Sequence, residues 1–238
     1  MQIKTAGVLG GMGPEATVDF MSKVLVQTSA KTDQDHLRLI IDHNPHVPNR
    51  IAAIDGSGEG SGSHLAQMAI GLEKAGADFL VMVCNTAHAF QTDIENAVDI
   101  PFVSIIDEVV LKLKQQHPQN TKVGLMATSG CIDAQLYQTK LAKFGFQSIV
   151  WDPLDQTEFM ETVSQIKAGD TGDEIGSAMN LLAYKLIESG ADVLIAGCTE
   201  VPLVLKPESL SIPVIESTAI LVKSVIDLSL GNRQLAIS

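Results

Sequence analysis

The sequence predicts an α/β protein of two similar halves, each a four-stranded parallel sheet flanked by helices, the two related by a pseudo-twofold duplication. Short apolar runs alternate with longer mixed segments along the chain, and that alternation argues for parallel strands joined by helical crossovers. The chain also repeats itself. Glu73-Lys-Ala-Gly-Ala-Asp-Phe-Leu-Val-Met-Val-Cys84 returns 114 residues later as Ile187-Glu-Ser-Gly-Ala-Asp-Val-Leu-Ile-Ala-Gly-Cys198. Gly7-Val8-Leu9 and Gly13 match Gly124-Leu125-Met126 and Gly130 at a spacing of 117, and Ile100-Pro101 recurs as Ile212-Pro213 at 112. Three blocks in one order at nearly one spacing mark two units. Eight strands would also suit one doubly wound sheet or a barrel, but the chain is short for a barrel and the repeat divides the strands four and four.

In order, the first strand is expected over Ile3–Gly10, an apolar stretch with neither the long core nor the cleavage site of a signal peptide. Pro14 then reads as the first residue of a helix over Pro14–Thr28. A strand follows over Leu37–Asp42, closed by an Asn44-Pro45 turn, and after the Gly/Ser-rich loop Asp55–Ser63 a helix over Ser63–Ala75. The strand Phe79–Cys84 runs into a polar helix start, Asn85–Asn96. Phe102–Ile105 is the next strand and Asp107–Gln116 the next helix. The second half repeats the pattern: strands Lys122–Ala127, Gln147–Trp151, Val193–Cys198 and Val214–Ile215, with helices Ala134–Phe144, Thr157–Ala168, Gly172–Ser189 and Ser217–Leu230. Because the Ile-Pro blocks recur, the last segment is expected to return to the first half. The expected units are therefore 1–99 with 210–238, and 100–209.

Composition narrows the function. Apolar residues at 45% of 238 suffice for a packed core, and 18% charged residues do not make a disordered chain. A net charge of −12, with no run of Lys or Arg, argues against a nucleic-acid or anionic-membrane partner. An anionic small molecule must then be caught by a few placed cations. Aromatics at 4% leave little for base stacking. No apolar run approaches the roughly 18–20 residues of a membrane span. Three cysteines, an odd count without framework spacing, point to free thiols in a reducing, cytoplasmic setting.

Cys84 and Cys198 each end an apolar strand just before cap-type residues, Asn85-Thr86 and Thr199-Glu200. In open parallel sheets that edge binds ligands, and a helix N-terminus is expected to lower a thiol's pKa toward neutrality. Two halves facing across a pseudo-twofold would bring the thiols to opposite sides of one cleft. Two acid/base groups flanking one carbon are what an inverting proton transfer needs. The competing reading, two small buried hydrophobes, suits a lone cysteine better than a pair at equivalent repeat positions. No C-x-x-C accompanies either cysteine, against a zinc site. His88 reads as a helix-positioning residue and Cys131, outside the repeat pair, as pocket wall or filler.

Gly11-x-Gly13-x-x-Ala16 fits a loose dinucleotide fingerprint, with Asp42 as the ribose partner. Gly13 recurs as Gly130, however, and the fingerprint gives the paired cysteines no role. The loop is better read as offering backbone N–H groups to a carboxylate, with Met12 and Gly13 lining a pocket. His43-x-x-His46 spans a turn and makes a poor metal site. Arg50 is a loop cation whose guanidinium suits a carboxylate, against a default of solvated surface charge. Lys167 sits at a helix end, where complementing the dipole is the plain alternative. The loop Asp55–Ser63 reads as a lid or a long surface loop.

Gly10-Gly-Met-Gly-Pro-Glu-Ala-Thr17, Asn44-Pro45-x-Val47-Pro48-x-Arg50, Cys84-Asn-Thr-Ala-His88, Ile166-Lys167-Ala-Gly169 and Gly197-Cys-Thr-Glu200 together resemble the aspartate racemases, within the aspartate/glutamate racemase superfamily. The likeness runs over nearly the whole chain. It implies an amino-acid racemase that uses no cofactor and no metal, two cysteines as acid and base, an active site between two α/β domains and a homodimer. Arg50 and Lys167 fall where the family places substrate-contacting cations, one for each carboxylate. Asn85, Thr86 and Thr199 are expected to contact the α-carboxylate and amino group, and Met12, Gly13, Thr128 and Glu200 complete the expected substrate-binding set. Cys131 departs from the family's usual Thr, and its weaker hydrogen bonding is expected to alter a substrate contact.

The expected reaction is interconversion of L- and D-aspartate. The alternatives are a glutamate or broad-specificity racemase, a related cysteine-based isomerase or decarboxylase, a non-catalytic small-molecule-binding relative, and a nucleotide-dependent oxidoreductase.

Overall fold

The computed structural model describes residues 3–234; the outermost parts of the expected first unit, 1–2 and 235–238, lie outside the described residues. In the first half β1 (Ala6–Gly10), α1 (Pro14–Gln27), β2 (Leu39–His43), α2 (Arg50–Ile54), α3 (Gly62–Lys74), β3 (Phe79–Met82), α4 (Gln91–Glu95) and β4 (Phe102–Val103) follow one another. Then α5 (Ile105–Gln116) leads to β5 (Lys122–Met126), α6 (Ser129–Asp133), α7 (Leu136–Lys143), β6 (Gln147–Ile149), α8 (Pro153–Lys167), α9 (Asp173–Glu188), β7 (Val193–Ala196), β8 (Val214–Glu216) and α10 (Ser217–Ser229). The sheets run β2-β1-β3-β4 and β6-β5-β7-β8, and every pairing is parallel.

The repeat has a packing cause. A Cβ on Gly7 would stand 2.7 Å from Leu80 Cδ2, and one on Gly124 would stand 2.5 Å from Leu194 Cδ2. Each glycine lets the crossover helix, through Leu72 or Leu186, lie close against its sheet. Alternate residues of β1 face two cores. Ala6 and Val8 join a cluster shared with β5, β7, α5 and α10, while Leu9 packs with Leu65, Leu72 and Leu80. The shared cluster joins the halves, and each fully buried Leu or Val in it contributes about 1.5–3 kcal/mol.

Strand pairing corrects the expected division. Phe102 and Val103 pair with Leu80 and Val81, completing the first sheet, and Val214–Glu216 pair with Leu194–Ala196, completing the second. Each Ile-Pro block thus marks the edge strand of its own half. What crosses over is the following helix: α10 packs on α1 and on α5, and α5 reaches α7.

Two expected helices are broken. Over Asn85–Asn96 the chain first makes a 3₁₀ turn, Thr86–Phe90. The backbone N–H of His88 donates to the Asn85 carbonyl while the His88 ring takes the Cys84 carbonyl that a regular α-helix would use. Over Ala134–Phe144, Gln135 adopts a left-handed conformation with φ 50° and separates α6 from α7. Arg50, expected in a loop, opens α2, which Asn49 caps by accepting from the Ile51 and Ala52 N–H groups.

Candidate active site

The C-terminal ends of β1, β3, β5 and β7 meet around one cavity of about 180 Å³. Ten of the expected residues line it: Met12, Arg50, Cys84, Asn85, Thr86, Thr128, Lys167, Cys198, Thr199 and Glu200. Cys84 comes from the end of β3 and Cys198 from the equivalent end of β7, and both are buried. The cations come from opposite halves, Arg50 from α2 and Lys167 from α8, the segments that follow β2 and β6.

Gly13 does not line this cavity. Its N–H donates to Glu200 Oε1 at 3.2 Å, so the loop does present an N–H to a carboxylate, but the carboxylate is the protein's own. A Cβ on Gly13 would stand 2.9 Å from that same oxygen. Gly11, at φ 88°, leaves no room for a Cβ against the Asn44 backbone, 2.5 Å away. The glycines of the loop therefore serve its closeness to Glu200 and to the chain after β2.

Glu200 is the centre of the site's electrostatics. It is 3% exposed, and its Oε2 accepts from Cys198 Sγ at 3.0 Å and from Thr199 Oγ1 at 3.3 Å. Lys167 Nζ stands 3.7 Å from its Oε1. Burial, then the Glu200 carboxylate, pushes the Cys198 thiol well above its ordinary pKa, opposed by Lys167. Burial is the largest single influence on Lys167 and disfavours its charged form, but Glu200 together with Cys198 and Cys84 outweighs it and holds the ammonium above its usual range. This corrects the expectation of a thiol lowered by a helix N-terminus. Only 3₁₀ turns follow the two cysteines, Thr86–Phe90 and Val201–Leu203, and neither Asn85 nor Glu200 caps its turn through its side chain.

Thr86 Oγ1 and Thr128 Oγ1 lie 2.7 Å apart and bridge the halves. Arg50 Nη1 donates to the Val47 and Pro48 carbonyls at 3.0 and 3.1 Å, which fixes the guanidinium at the cavity wall. His88 is buried; its Nε2 accepts from Ile105 N–H at 3.2 Å, so its Nδ1 carries the proton and donates to the Cys84 carbonyl at 2.8 Å. Burial lowers its pKa to about 4, and it positions the Cys84 loop as a neutral ring. Cys131 lies wholly in the shared core, its thiol pushed up to about 12 by burial. It does not line the cavity, so the expected change to a substrate contact there is corrected. Its backbone N–H donates to Thr128 Oγ1 at 3.3 Å.

Other lining residues were not foreseen. Met160, Val163 and Ser164 share with Lys167 one face of α8 at i, i+3, i+4 and i+7, a periodicity readable back from Lys167. Asn49 and Ile51 flank Arg50. Tyr137 and Ser217, hydrogen-bonded to Asn85, carry no sequence signal. Among the described residues no group of three or more His, Cys, Asp or Glu side chains is disposed to hold a metal ion, and no helix is long and apolar enough to cross a membrane.

Comparison with known proteins gives one family. The Asp/Glu/Hydantoin racemase family matches residues 9–225. The broad-specificity amino-acid racemase of Bacillus subtilis (strain 168) is 29% identical over 234 residues, spanning 92% of this chain and 96% of its own length. The Picrophilus torridus aspartate racemase superposes with a TM-score of 0.85 at 29% identity, covering 95% of this chain and 94% of that one. An aspartate racemase homologue from Pyrococcus horikoshii OT3 gives 0.76 at 26% identity, covering 96% and 100%.

Proposed function

The chain belongs to the Asp/Glu/Hydantoin racemase family, and from that premise we propose that it interconverts L- and D-aspartate by a two-thiol proton transfer without a cofactor. The observation that carries this reading is Cys84 and Cys198 lining one cavity from equivalent strand ends, with one cation from each half beside them. Arg50 and Lys167 each take one carboxylate, and Asn85, Thr86 and Thr199 the remaining polar contacts. One cysteine, as thiolate, removes the α-proton, and the electron pair of the broken C–H bond passes into the α-carboxylate as an enolate-like state. The other cysteine, as thiol, delivers its proton to the opposite face, leaving the pair with exchanged protonation. Where Cys198 acts as base, Glu200 is aimed to take the thiol's proton, 3.0 Å away. The cation pair stabilises the charge that develops in a site with little water.

A second reading, racemisation of glutamate or several amino acids, is supported by the likeness to the broad-specificity enzyme. A homodimer in the reducing cytoplasm completes the proposal; its support is the family resemblance and the three unpaired cysteines. The test is a chiral assay on a panel of L-amino acids, with protein dialysed against a chelator and treated with hydroxylamine. D-aspartate is expected to form fastest. Faster turnover of glutamate or of many substrates moves the assignment to the second reading. Activity lost and then restored by pyridoxal phosphate or a metal overturns the cofactor-free mechanism.

A further inference from the structure

A buried relay of hydrogen bonds fixes the orientation of one cavity side chain. Ser217 Oγ lies 2.7 Å from the Ala196 carbonyl oxygen, which only accepts, so the hydroxyl's single proton is committed there. Toward Asn85, 3.1 Å away, Ser217 is therefore an acceptor, and the group facing it is the amide nitrogen. The Asn85 amide oxygen then faces Tyr137, whose hydroxyl donates to it at 2.6 Å. Asn85 is 2% exposed and Ser217 and Tyr137 are 0% exposed, so water does not compete for these groups. Burial keeps the Tyr137 phenol protonated, well above its ordinary pKa.

The amide's capacity is then nearly spent. Its oxygen is held by Tyr137 and one N–H by Ser217; the second N–H has no acceptor among the described residues, and Asn85 lines the cavity. We propose that Tyr137 and Ser217 are positioning residues that lock Asn85 as a hydrogen-bond donor into the cavity, for a substrate carboxylate and not for the ammonium group. A buried donor without a partner is costly, so the site selects a ligand that brings an acceptor there. The same N–H suits the negative oxygen that grows as the α-proton leaves. The relay also ties the two cysteine loops together, since Asn85 follows Cys84 and Ala196 stands two residues before Cys198. This inference deepens the racemase reading and rests on it for the identity of the ligand.

The experiment is calorimetric titration with succinate, a dicarboxylate lacking the ammonium group, and with aspartate. Tyr137→Phe keeps the ring and removes the donor, freeing the amide to rotate; it should weaken succinate binding about tenfold, equal to about 1.4 kcal/mol. Ser217→Ala should act in the same direction. Asn85→Asp offers only acceptors of the same shape and should weaken both ligands at least about a hundredfold. A purely structural role for Tyr137 would lower the melting temperature and leave the succinate Kd of the folded protein unchanged, and that result overturns the proposal. So does an Asn85→Asp protein that binds aspartate as tightly as the native one, or a native protein that does not bind succinate. Succinate binding with no racemisation of any amino acid would instead strike the racemase reading and leave the donor assignment standing.

Discussion

The Cys198 thiol donates a hydrogen bond to the Glu200 carboxylate across 3.0 Å, whereas the position two residues after Cys84 holds Thr86, bonded at 2.7 Å to Thr128. The duplication therefore yields two backbones alike and two cysteine surroundings unlike. Cys198 has a carboxylate within hydrogen-bond distance, whereas the loop after Cys84 carries a hydroxyl bridge between the halves. In a racemase this inequality has a thermodynamic limit. The enantiomers have equal free energies in solution, so kcat/KM must be the same in both directions in any variant.

Glu200→Gln should accordingly lower kcat/KM equally for L- and D-aspartate, by about 10²–10⁴. Gln still offers an oxygen to the Gly13 N–H, so the fold should hold. Losing the negative neighbour should also lower the raised pKa of Cys198, which the pH dependence of alkylation would reveal. An unchanged alkylation profile would remove Glu200 from the role of proton acceptor.

Arg50→Lys keeps the charge but cannot bond both the Val47 and Pro48 carbonyls and still present a flat fork to the cavity. Activity on aspartate should fall about a hundredfold, while the melting temperature stays within about 4 °C. Steady-state kinetics beside a thermal melt decide it, and unaltered kinetics would return Arg50 to a surface charge.

Where the sequence was informative, it was so through periodicity and repetition. The eight strands and the pairing of Cys84 with Cys198 follow from blocks that the same packing demand, Gly7 under Leu72 and Gly124 under Leu186, imposes twice. What was not legible depends on contacts between segments distant in the chain. Asn85, Tyr137 and Ser217 meet only because α7 and α10 pack where they do. Cys131, outside the repeat pair, reads as pocket wall or filler, and the packing of α6 decides for filler by turning its thiol into the core. The cap-type pair after Cys198 predicts a helix start and a lowered thiol, whereas the chain makes one 3₁₀ turn and points Glu200 inward.

His88 gives a pH signature in stability. Its folded pKa is about 4, below the unfolded value of 6.5, so the unfolded chain binds the proton first as pH falls. Above pH 6.5 the neutral ring's contribution is fully present. Between pH 6.5 and 4 it is lost, by ~3 kcal/mol in total, and below pH 4 this group adds no further slope. Urea midpoints measured across that range should drop for the native protein. His88→Gln keeps one donor and one acceptor without titrating, so its curve should be flatter there; parallel curves would mean that another group carries the effect.

The two-thiol mechanism predicts opposite defects in the two cysteine variants. Cys84 and Cys198 stand at the ends of equivalent strands and line one cavity, and in the proposed mechanism each serves one face of the α-carbon. Replacing either with Ala removes one partner and should abolish racemisation in both directions, because the equilibrium links them. The remaining thiol still reaches its own face. Each variant should therefore slowly exchange the α-proton of one enantiomer with heavy water, and the two should choose opposite enantiomers. Cys84→Ala retains the Cys198–Glu200 pair and should exchange faster than Cys198→Ala, which keeps a base without a carboxylate. Ala is preferred to Ser, whose hydroxyl can relay a proton through water. The readout is NMR loss of the α-proton signal from pure L- and pure D-aspartate, with circular dichroism to confirm folding. Exchange of the same enantiomer by both variants, or racemisation at near the native rate by either, would end the two-base assignment, and equal exchange rates would end the special role of Glu200.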